Sequence, residues 1–248
     1  MPRFFVQTDQ IQDGIVTVRG DDAHHISRAL RMAVGDRITV CDMRATEYEC
    51  ELTDFLADCV KARILCAAQS AVEPPVAITL YQALPKGDKL DTVIQKAVEC
   101  GTFRIVPFES ERCVVRAKAD SEARKTERRQ RIATEAAKQC GRAVLPVVES
   151  TCTFAQMLSD AAQNDVVFFC YEGDGTLPVG KLLQERDWHA TSSIGIVIGS
   201  EGGFSREEEI LTSDLGYASV TLGKRILRAE TAAVALTSVV MFALGEWR

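Results

Sequence analysis

Apolar positions in the first seventy residues come in short runs, each soon interrupted by polar ones. "RFFVQ", "GIVTVRG", "DRITVCD" and "EYECELTDF" are β-prone and separated by Gly or Asp, a rhythm that predicts a small β-barrel or compact sheet. One segment breaks the rhythm. In "HHISRALRMAVGD" (His24–Asp36) the residues Ile26, Leu30 and Val34 lie four apart, which predicts a short helix closed by Gly35. The Pro-Pro pair in "SAVEPP" (Ser70–Pro75) stops both helix and strand and marks a linker. Beyond it the period changes. "VAITLYQAL" (Val76–Leu84) reads as a buried strand. "PKGDKLDTVIQKAVECG" (Pro85–Gly101) reads as a helix with Leu90, Val93, Ile94, Ala97 and Val98 on one stripe and Gly101 at its C-cap. "FRIVPFES", "AVLPVVE", "DVVFFCYE" and "SIGIVIGS" are further strands with helical stretches between them, among them a basic helix from about Glu122 to Cys140. The alternation predicts an α/β domain with a mostly parallel sheet, over residues 73–248, behind a β-rich domain over residues 1–72.

Two strand ends draw attention. The apolar run from Ile194 to Ile198 leads into Gly199, Gly202 and Gly203, and Ser205 with Glu208 forms a capping box for the helix that follows. The run from Ala218 to Leu222 ends at Gly223, and Lys224, Arg225 and Arg228 precede a helix that starts near Glu230. Ligands of open α/β sheets bind beyond the carboxyl ends of strands, so two such loops predict a small-molecule pocket. The spacing excludes the common phosphate loops. Gly199-Ser200-Glu201-Gly202-Gly203 does not fit G-x-G-x-x-G. "LGKR" is not the end of a P-loop, because Ala218 stands five before Gly223 and Arg225 follows Lys224. What remains is a loop whose backbone approaches a ligand closely where Gly202 and Gly203 lack side chains, and a tight unliganded turn fits the glycines equally well. In a parallel sheet Glu172, Glu201, Arg225 and Arg228 all gather at the same strand ends. The histidines His24, His25 and His189 form no Ser-His-Asp or Cys-His arrangement, and no cluster has metal-ligand spacing, so no metal is expected.

Composition changes this picture in few places. A chain of 248 residues with 46% apolar and 26% charged residues fits a soluble globular protein of one or two domains. Its longest nearly unbroken apolar stretch, Ala232–Gly245, is too short to span a bilayer, and no basic-then-apolar leader opens the chain. Nine cysteines, an odd number without a CxxC pair, fit a reduced cytoplasmic protein. A net charge of −6 argues against nucleic acid as a partner, but Arg112 to Arg142 holds ten Lys/Arg against four Asp/Glu. That run fits either a phosphate-binding patch or a solvated helix face. Likewise His25, Arg28 and Arg31, with Arg3, Phe4 and Phe5, form either a grip for phosphates and a stacked base or an ordinary amphipathic helix with exposed arginines.

Taken together, "IGSEGGFS" (Ile198–Ser205) and "LGKRILRAETA" (Leu222–Ala232) resemble the signature of the bacterial methyltransferases that modify uracil N3 of 16S ribosomal RNA, members of the SPOUT superfamily. The resemblance extends along the chain through "RFFV", "HHISRALRMAVGD", "LPKGDK" (Leu84–Lys89), "QKAVECG" (Gln95–Gly101) and "EAAKQCGR" (Glu135–Arg142). There are two departures. The family usually has Pro where Ser200 stands, in the cofactor loop, and commonly an acidic residue at Lys138, outside the predicted pocket.

The resemblance implies an N-terminal PUA-like β-barrel that binds RNA and a C-terminal SPOUT domain threaded into a trefoil knot. Sheet reasoning alone excludes a knot, since true knots are nearly absent among folds. It also implies a homodimer, with the apolar helix Thr231–Trp247 buried against the sheet and a partner, and 16S ribosomal RNA or the small ribosomal subunit as substrate. The implied cofactor is S-adenosyl-L-methionine, held by Leu84, Ile198, Gly199, Ser200, Glu201, Gly202, Leu222, Gly223, Ile226, Leu227 and Thr231. In the chemistry it implies, Arg228, or less directly Arg225, stabilises the charge left when N3 loses its proton. Glu172 or Glu201 assists that loss, and Glu201 has a loop-fixing role as its alternative. Arg3, Phe5, His25, Arg28, Arg31, Arg124, Arg128 and Arg225 are the RNA-binding candidates. Two other functions stay open on the residues: methylation of a ribose 2′-hydroxyl, and a non-catalytic RNA-binding module.

Overall fold

The computed structural model describes residues 1–173, 175–185, 188 and 191–247; His189 lies outside them. The chain divides into two compact units, Met1–Glu73 with Ala137–Leu145, and Pro74–Ala136 with Pro146–Arg248.

The first unit is built on β1 (Arg3–Phe5), β2 (Ile11–Gln12), β3 (Ile15–Arg19), β4 (Arg37–Cys41), β5 (Thr46–Phe55) and β6 (Cys59–Gln69). They form one sheet in the order β1-β4-β5-β6-β3-β2, antiparallel except for the β1–β4 pair. The alternation seen in the sequence has its cause here. Val16 and Val18 of β3, with Ile38, Val40, Leu52 and Val60 from the neighbouring strands, are buried in one core, and the intervening residues of β3 are more exposed. β6 was not among the runs expected to be strands. Its outer half, from Arg63 onward, is largely exposed, so it lacks the apolar alternation that marks a half-buried strand, yet it pairs with β5 along its length. Register shifts in that pair between Glu49 and Cys50 and between Leu52 and Asp54 bend and twist the ribbon.

The helix expected over His24–Asp36 is displaced. The structure has α1 (Gly20–His24) running into a π-turn (His25–Ala29), with Leu30 N–H donating to the His25 carbonyl. Arg31 then turns left-handed, at φ +52°, and Met32 N–H closes back on the Ile26 carbonyl. Only Ile26 of the expected stripe is buried; Leu30 and Val34 are 41% and 65% exposed. The four-residue spacing was therefore counted across a helix end. The segment Ala137–Leu145 belongs to this unit through Glu73, whose carboxylate accepts from the Arg142 guanidinium at 2.7 Å and from the backbone N–H groups of Ala143 and Val144. Lys138, at the second departure from the family pattern, pairs with Asp22 at 2.7 Å.

The second unit holds β7 (Ala77–Ala83), β8 (Arg104–Glu109), β9 (Val147–Val148), β10 (Cys152–Thr153), β11 (Val166–Cys170), β12 (Leu177–Pro178), β13 (Ser193–Ile198) and β14 (Ala218–Thr221). The sheet order is β10-β8-β7-β13-β11-β14-β12, β9 also pairs with β8, and every pair is parallel. "AVLPVVE" contributes only the two residues of β9. The helices are α2 (Lys89–Glu99), α3 (Ala119–Cys140, which from Ala137 on belongs to the first unit), α4 (Phe154–Ala161), α5 (Val179–Glu185), α6 (Arg206–Asp214) and α7 (Ala229–Ala243). The central strands β7 and β13 are buried almost throughout, as parallel strands covered on both faces are. α2 buries the stripe read from the sequence, and Gly101 ends it at φ +93°. β13 lies between β7 and β11 although five strands separate it from β7 in sequence, so the loops that follow β7, β13, β11 and β14 emerge side by side. Among the described residues no helix is long and apolar enough to cross a membrane.

Candidate functional site

The loop after β13 is fastened at every residue. The Gly199 carbonyl accepts from Nε2 of Gln82, a fully buried side chain on β7, at 3.2 Å. Gly203, at φ +63°, donates its N–H to the Ser200 carbonyl at 3.0 Å and closes a tight turn. The Glu201 carboxylate accepts from Lys89 Nζ at 2.8 Å and from the Lys86 N–H at 3.2 Å. At Gly202 a Cβ would sit 3.0 Å from Arg112 Cβ and 3.1 Å from the Arg112 carbonyl oxygen, so any side chain there would crowd the β8 loop, which approaches closely. Ser205 and Glu208 form the expected capping box, and the other Glu208 oxygen accepts from the Glu111 N–H at 2.7 Å.

The loop after β14 is open. Its recorded side-chain bonds are those between Thr221 Oγ1 and the Gly223 backbone. Lys224, Arg225 and Arg228 are exposed, and Ile226 is 82% exposed. Arg228 is the N-cap residue of α7 and makes no side-chain cap bond.

Between these loops and the end of β11 lies a cavity of about 470 Å³. Of the expected site residues, Ile198, Gly199, Ser200, Glu201, Gly202, Ile226, Leu227, Arg228 and Glu172 line it. Leu222, Gly223 and Arg225 line an adjoining cavity of about 150 Å³ that shares Glu172, Ile226 and Leu227 with the first. Leu84, buried after β7, and Thr231, exposed in the first turn of α7, line neither. Sequence reasoning missed Arg112, Cys170, Tyr171 and Phe204, which also form the wall. The signal that finds them is topological, because each sits at or just beyond the carboxyl end of a parallel strand.

Partial burial raises the Glu201 pKa, but the Lys89 ammonium and the backbone N–H donors outweigh it and hold the carboxyl below its ordinary value. Lys89 also approaches Glu230, at 3.5 Å, so one ammonium links the first loop to the start of α7. Burial, with the Glu172 charge adding to it, pushes the Cys170 thiol up to about 11, so the wall presents a neutral thiol and not a thiolate. Among the described residues no three His, Cys, Asp or Glu side chains come together as a metal site, and all nine cysteines are free.

The cavity suits S-adenosylmethionine. Its volume is that of a small-molecule site, and its walls combine apolar side chains with glycine-loop backbone. Ser200, which lines this cavity and is 8% exposed, carries a buried hydroxyl that has no hydrogen-bond partner among the described residues. A buried polar atom without a partner is what a polar ligand satisfies.

The RNA candidates are placed in contrasting ways. His25, Arg28 and Arg31 are exposed on the first unit. Arg3 is engaged internally, with Glu47 at 3.1 Å and the Arg142 carbonyl at 3.3 Å, and Phe5 is half-buried. In the basic run, Arg116, Arg128, Arg129, Arg131, Lys138 and Arg142 each pair with a carboxylate, Arg128 with Asp91. Arg124 is exposed and carries no such pair among the described residues. The run is thus less positive than its composition.

Comparison with known proteins agrees across the chain. A model described as RNA methyltransferase domain matches residues 72–241, and one described as RNA methyltransferase PUA domain matches residues 18–55. The chain is 32% identical over 258 residues to ribosomal RNA small subunit methyltransferase E of Bacillus subtilis, covering 98% of this chain and 96% of that protein. It is 33% identical over 239 residues to the protein of the same name from Synechocystis, covering 96% of this chain and 76% of that one. Among solved structures, a ribosomal RNA small subunit methyltransferase E from Neisseria gonorrhoeae bound to S-adenosyl methionine is similar at a TM-score of 0.84 and 30% identity, with 97% of each chain covered.

Proposed function

The chain belongs to the RNA methyltransferase family, with the ribosomal RNA small subunit methyltransferase E proteins among its relatives, and we propose from this that it methylates N3 of a uridine in 16S ribosomal RNA with S-adenosylmethionine as donor. The observation that carries the reading is the cavity at the ends of β11, β13 and β14, where a fastened glycine loop faces an exposed arginine and an exposed glutamate.

Ile198, Leu227 and the backbone of Gly199–Gly202 would hold the cofactor; Ile226, Leu222 and Gly223 would close on it from the other loop. When bound, S-adenosylmethionine supplies a methyl group activated by a sulfonium. The protein's own tasks are to align N3 and to support loss of its proton. N3 lies in the Watson–Crick edge, so the target base must be unpaired or splayed out to be reached. The anion that forms carries its charge on the flanking carbonyl oxygens, and Arg228 stabilises it more than the neutral base. Glu172, exposed on the wall, takes the proton. Glu201, already bonded to Lys89 and the Lys86 N–H, braces the loop.

The six-stranded first unit serves as a PUA-like RNA-binding barrel, with His25, Arg28 and Arg31 as its exposed contacts. Insertion of β13 between β7 and β11 supports a trefoil knot in the SPOUT domain. Val239 and Phe242 of α7, 38% and 55% exposed, support a homodimer. The ribosomal substrate implies a cytoplasmic location. Mass mapping of methylated nucleotides in ribosomal RNA from cells lacking the protein tests the reading: one N3-methyluridine of 16S RNA disappears. Persistence of every N3-methyluridine, or loss of a 2′-O-methyl instead, overturns it.

A further inference from the structure

We infer that Arg112 is a second cation of the active site, serving with Arg228 the two oxygens that flank uracil N3; the inference rests on the uracil-N3 reading above. Loss of the N3 proton leaves charge that resonance divides between O2 and O4, one on each side of the ring nitrogen. A single guanidinium aimed at one of them leaves the other to solvent. The wall of the cavity carries two cations among the described residues, and they come from different elements: Arg228 from the start of α7 and Arg112 from the loop after β8.

The backbone under Arg112 is held on both sides. Glu111 N–H donates to Glu208 at 2.7 Å, and Cys113 N–H donates to the Ser110 carbonyl at 3.2 Å, with Ser110 and Cys113 buried. Arg116 donates to the Ser110 and Glu111 carbonyls at 3.0 and 2.9 Å. The Arg112 side chain itself is exposed, and its recorded bond is a long one, Nη1 to the Gly202 carbonyl at 3.3 Å. A guanidinium has five N–H donors, so most of them remain for a ligand. Where Arg116 pairs with Glu109, Arg112 has no carboxylate partner among the described residues. A fixed backbone beneath a cation with unspent donors is the arrangement that stabilises developing charge without reorganising.

The chemistry balances with both cations as spectators to the bonding. N3 gives its proton to Glu172 and keeps the electron pair of the N–H bond. That pair forms the bond to the methyl carbon, while the carbon–sulfur pair returns to the sulfonium sulfur. Arg112 and Arg228 hold the charge on O2 and O4 between the two events.

The test uses the full-length protein and the 16S RNA fragment that the wild type methylates. At saturating S-adenosylmethionine, Arg112→Ala should lose about a hundredfold in single-turnover rate, while its calorimetric Kd for the cofactor stays within about threefold. Arg112→Lys should recover part of the loss, since it restores the charge without the fork. A second measurement needs no cofactor. With 5-fluorouridine at the target position, 19F NMR reads the N3 pKa in the protein–RNA complex. The wild type should lower that pKa by about 1 or more relative to free RNA, and Arg112→Ala should remove at least half of the drop. An Arg112→Ala enzyme that changes only KM for RNA, or one that weakens cofactor binding with an unchanged saturated rate, overturns the inference: the residue is then a phosphate anchor or a brace for Gly202. If the wild type forms no N3-methyluridine at all, the proposed function itself falls, an outcome read before any variant is made.

Discussion

The loops after β13 and β14 face the same cavity but are built differently. In the first, the Gly199 carbonyl, the Ser200–Gly203 turn and the Glu201 carboxylate are each bonded, Gly202 is packed on the β8 loop, and the helix beyond is capped. In the second, three basic side chains and Ile226 stand in solvent. The contrast separates two tasks. A loop already fastened loses little conformational freedom on binding, which favours affinity. A loop with unspent cations and uncovered apolar surface gains only when a ligand arrives. Arg228 makes the point most sharply. As N-cap of α7 it places a cation at the positive end of a helix, where the dipole disfavours it, while Glu230 in the same first turn is favoured. Folding alone gives no reason for that arginine.

The largest expected effect therefore falls on turnover through the open loop. Arg228→Ala should lower the rate at saturating cofactor and RNA by about a hundredfold to a thousandfold, the usual loss when one oxyanion donor is removed. Cofactor affinity should hold within about threefold, because the fastened loop is untouched. Single-turnover kinetics with calorimetry checks both. Wild-type turnover in that variant would remove Arg228 from the chemistry and with it the division of labour between the loops.

Two isoleucines on the same wall sharpen the comparison. Ile198 ends β13 and is 2% exposed, whereas Ile226 is 82% exposed. Ile198→Ala opens a cavity at the heart of the sheet and should cost about 2–5 kcal/mol of stability. Ile226→Ala removes surface that the free protein leaves in water, so its stability should change by less than about 0.5 kcal/mol. On the proposed reading the bound cofactor covers that side chain, so its loss should weaken S-adenosylmethionine by about tenfold, as expected for a few buried methyl and methylene groups. Thermal melts and calorimetry on the two variants separate the cases. An Ile226→Ala protein with unchanged cofactor affinity would leave the second loop out of the binding site.

What the chain disclosed in advance follows the same division. The strand β13, the capping box at Ser205 and Glu208, the stripe on α2 and the start of α7 are local patterns, set by residues within a turn or two of each other. Arg112 was invisible to that kind of reading, because its place in the wall depends on Glu208 fixing a loop from elsewhere in the sheet. β6 was missed because half of it faces water, and the helix end at Arg31 because a non-glycine residue took a left-handed conformation that spacing does not reveal. The pairing within the basic run was not legible in its composition, as Arg129 illustrates: its partner Glu122 lies two turns away on the same helix, and both are largely buried.

The smallest effect concerns the tether between the loops. Glu201 has its pKa lowered, so its contribution is complete above the ordinary carboxylate value of about 4.3 and is lost as pH falls through the depressed one. Lys89 has its pKa raised, by the hydrogen bond to Glu201 first, so its contribution is complete below the ordinary ammonium value of about 10.4 and is lost as pH rises through the raised one. The pair is therefore intact from about pH 5 to about pH 10. Both side chains are about 30% exposed, and solvent screens the interaction. Glu201→Gln should accordingly weaken S-adenosylmethionine by less than about fivefold. The difference from wild type should stay constant across neutral pH and close in acid, below about pH 4. Calorimetric titrations across that range measure it. A difference that instead grows or shrinks with a midpoint near neutrality would show that Glu201 exchanges a proton during function, and would move it from the fastened loop's bracing to the chemistry now given to Glu172.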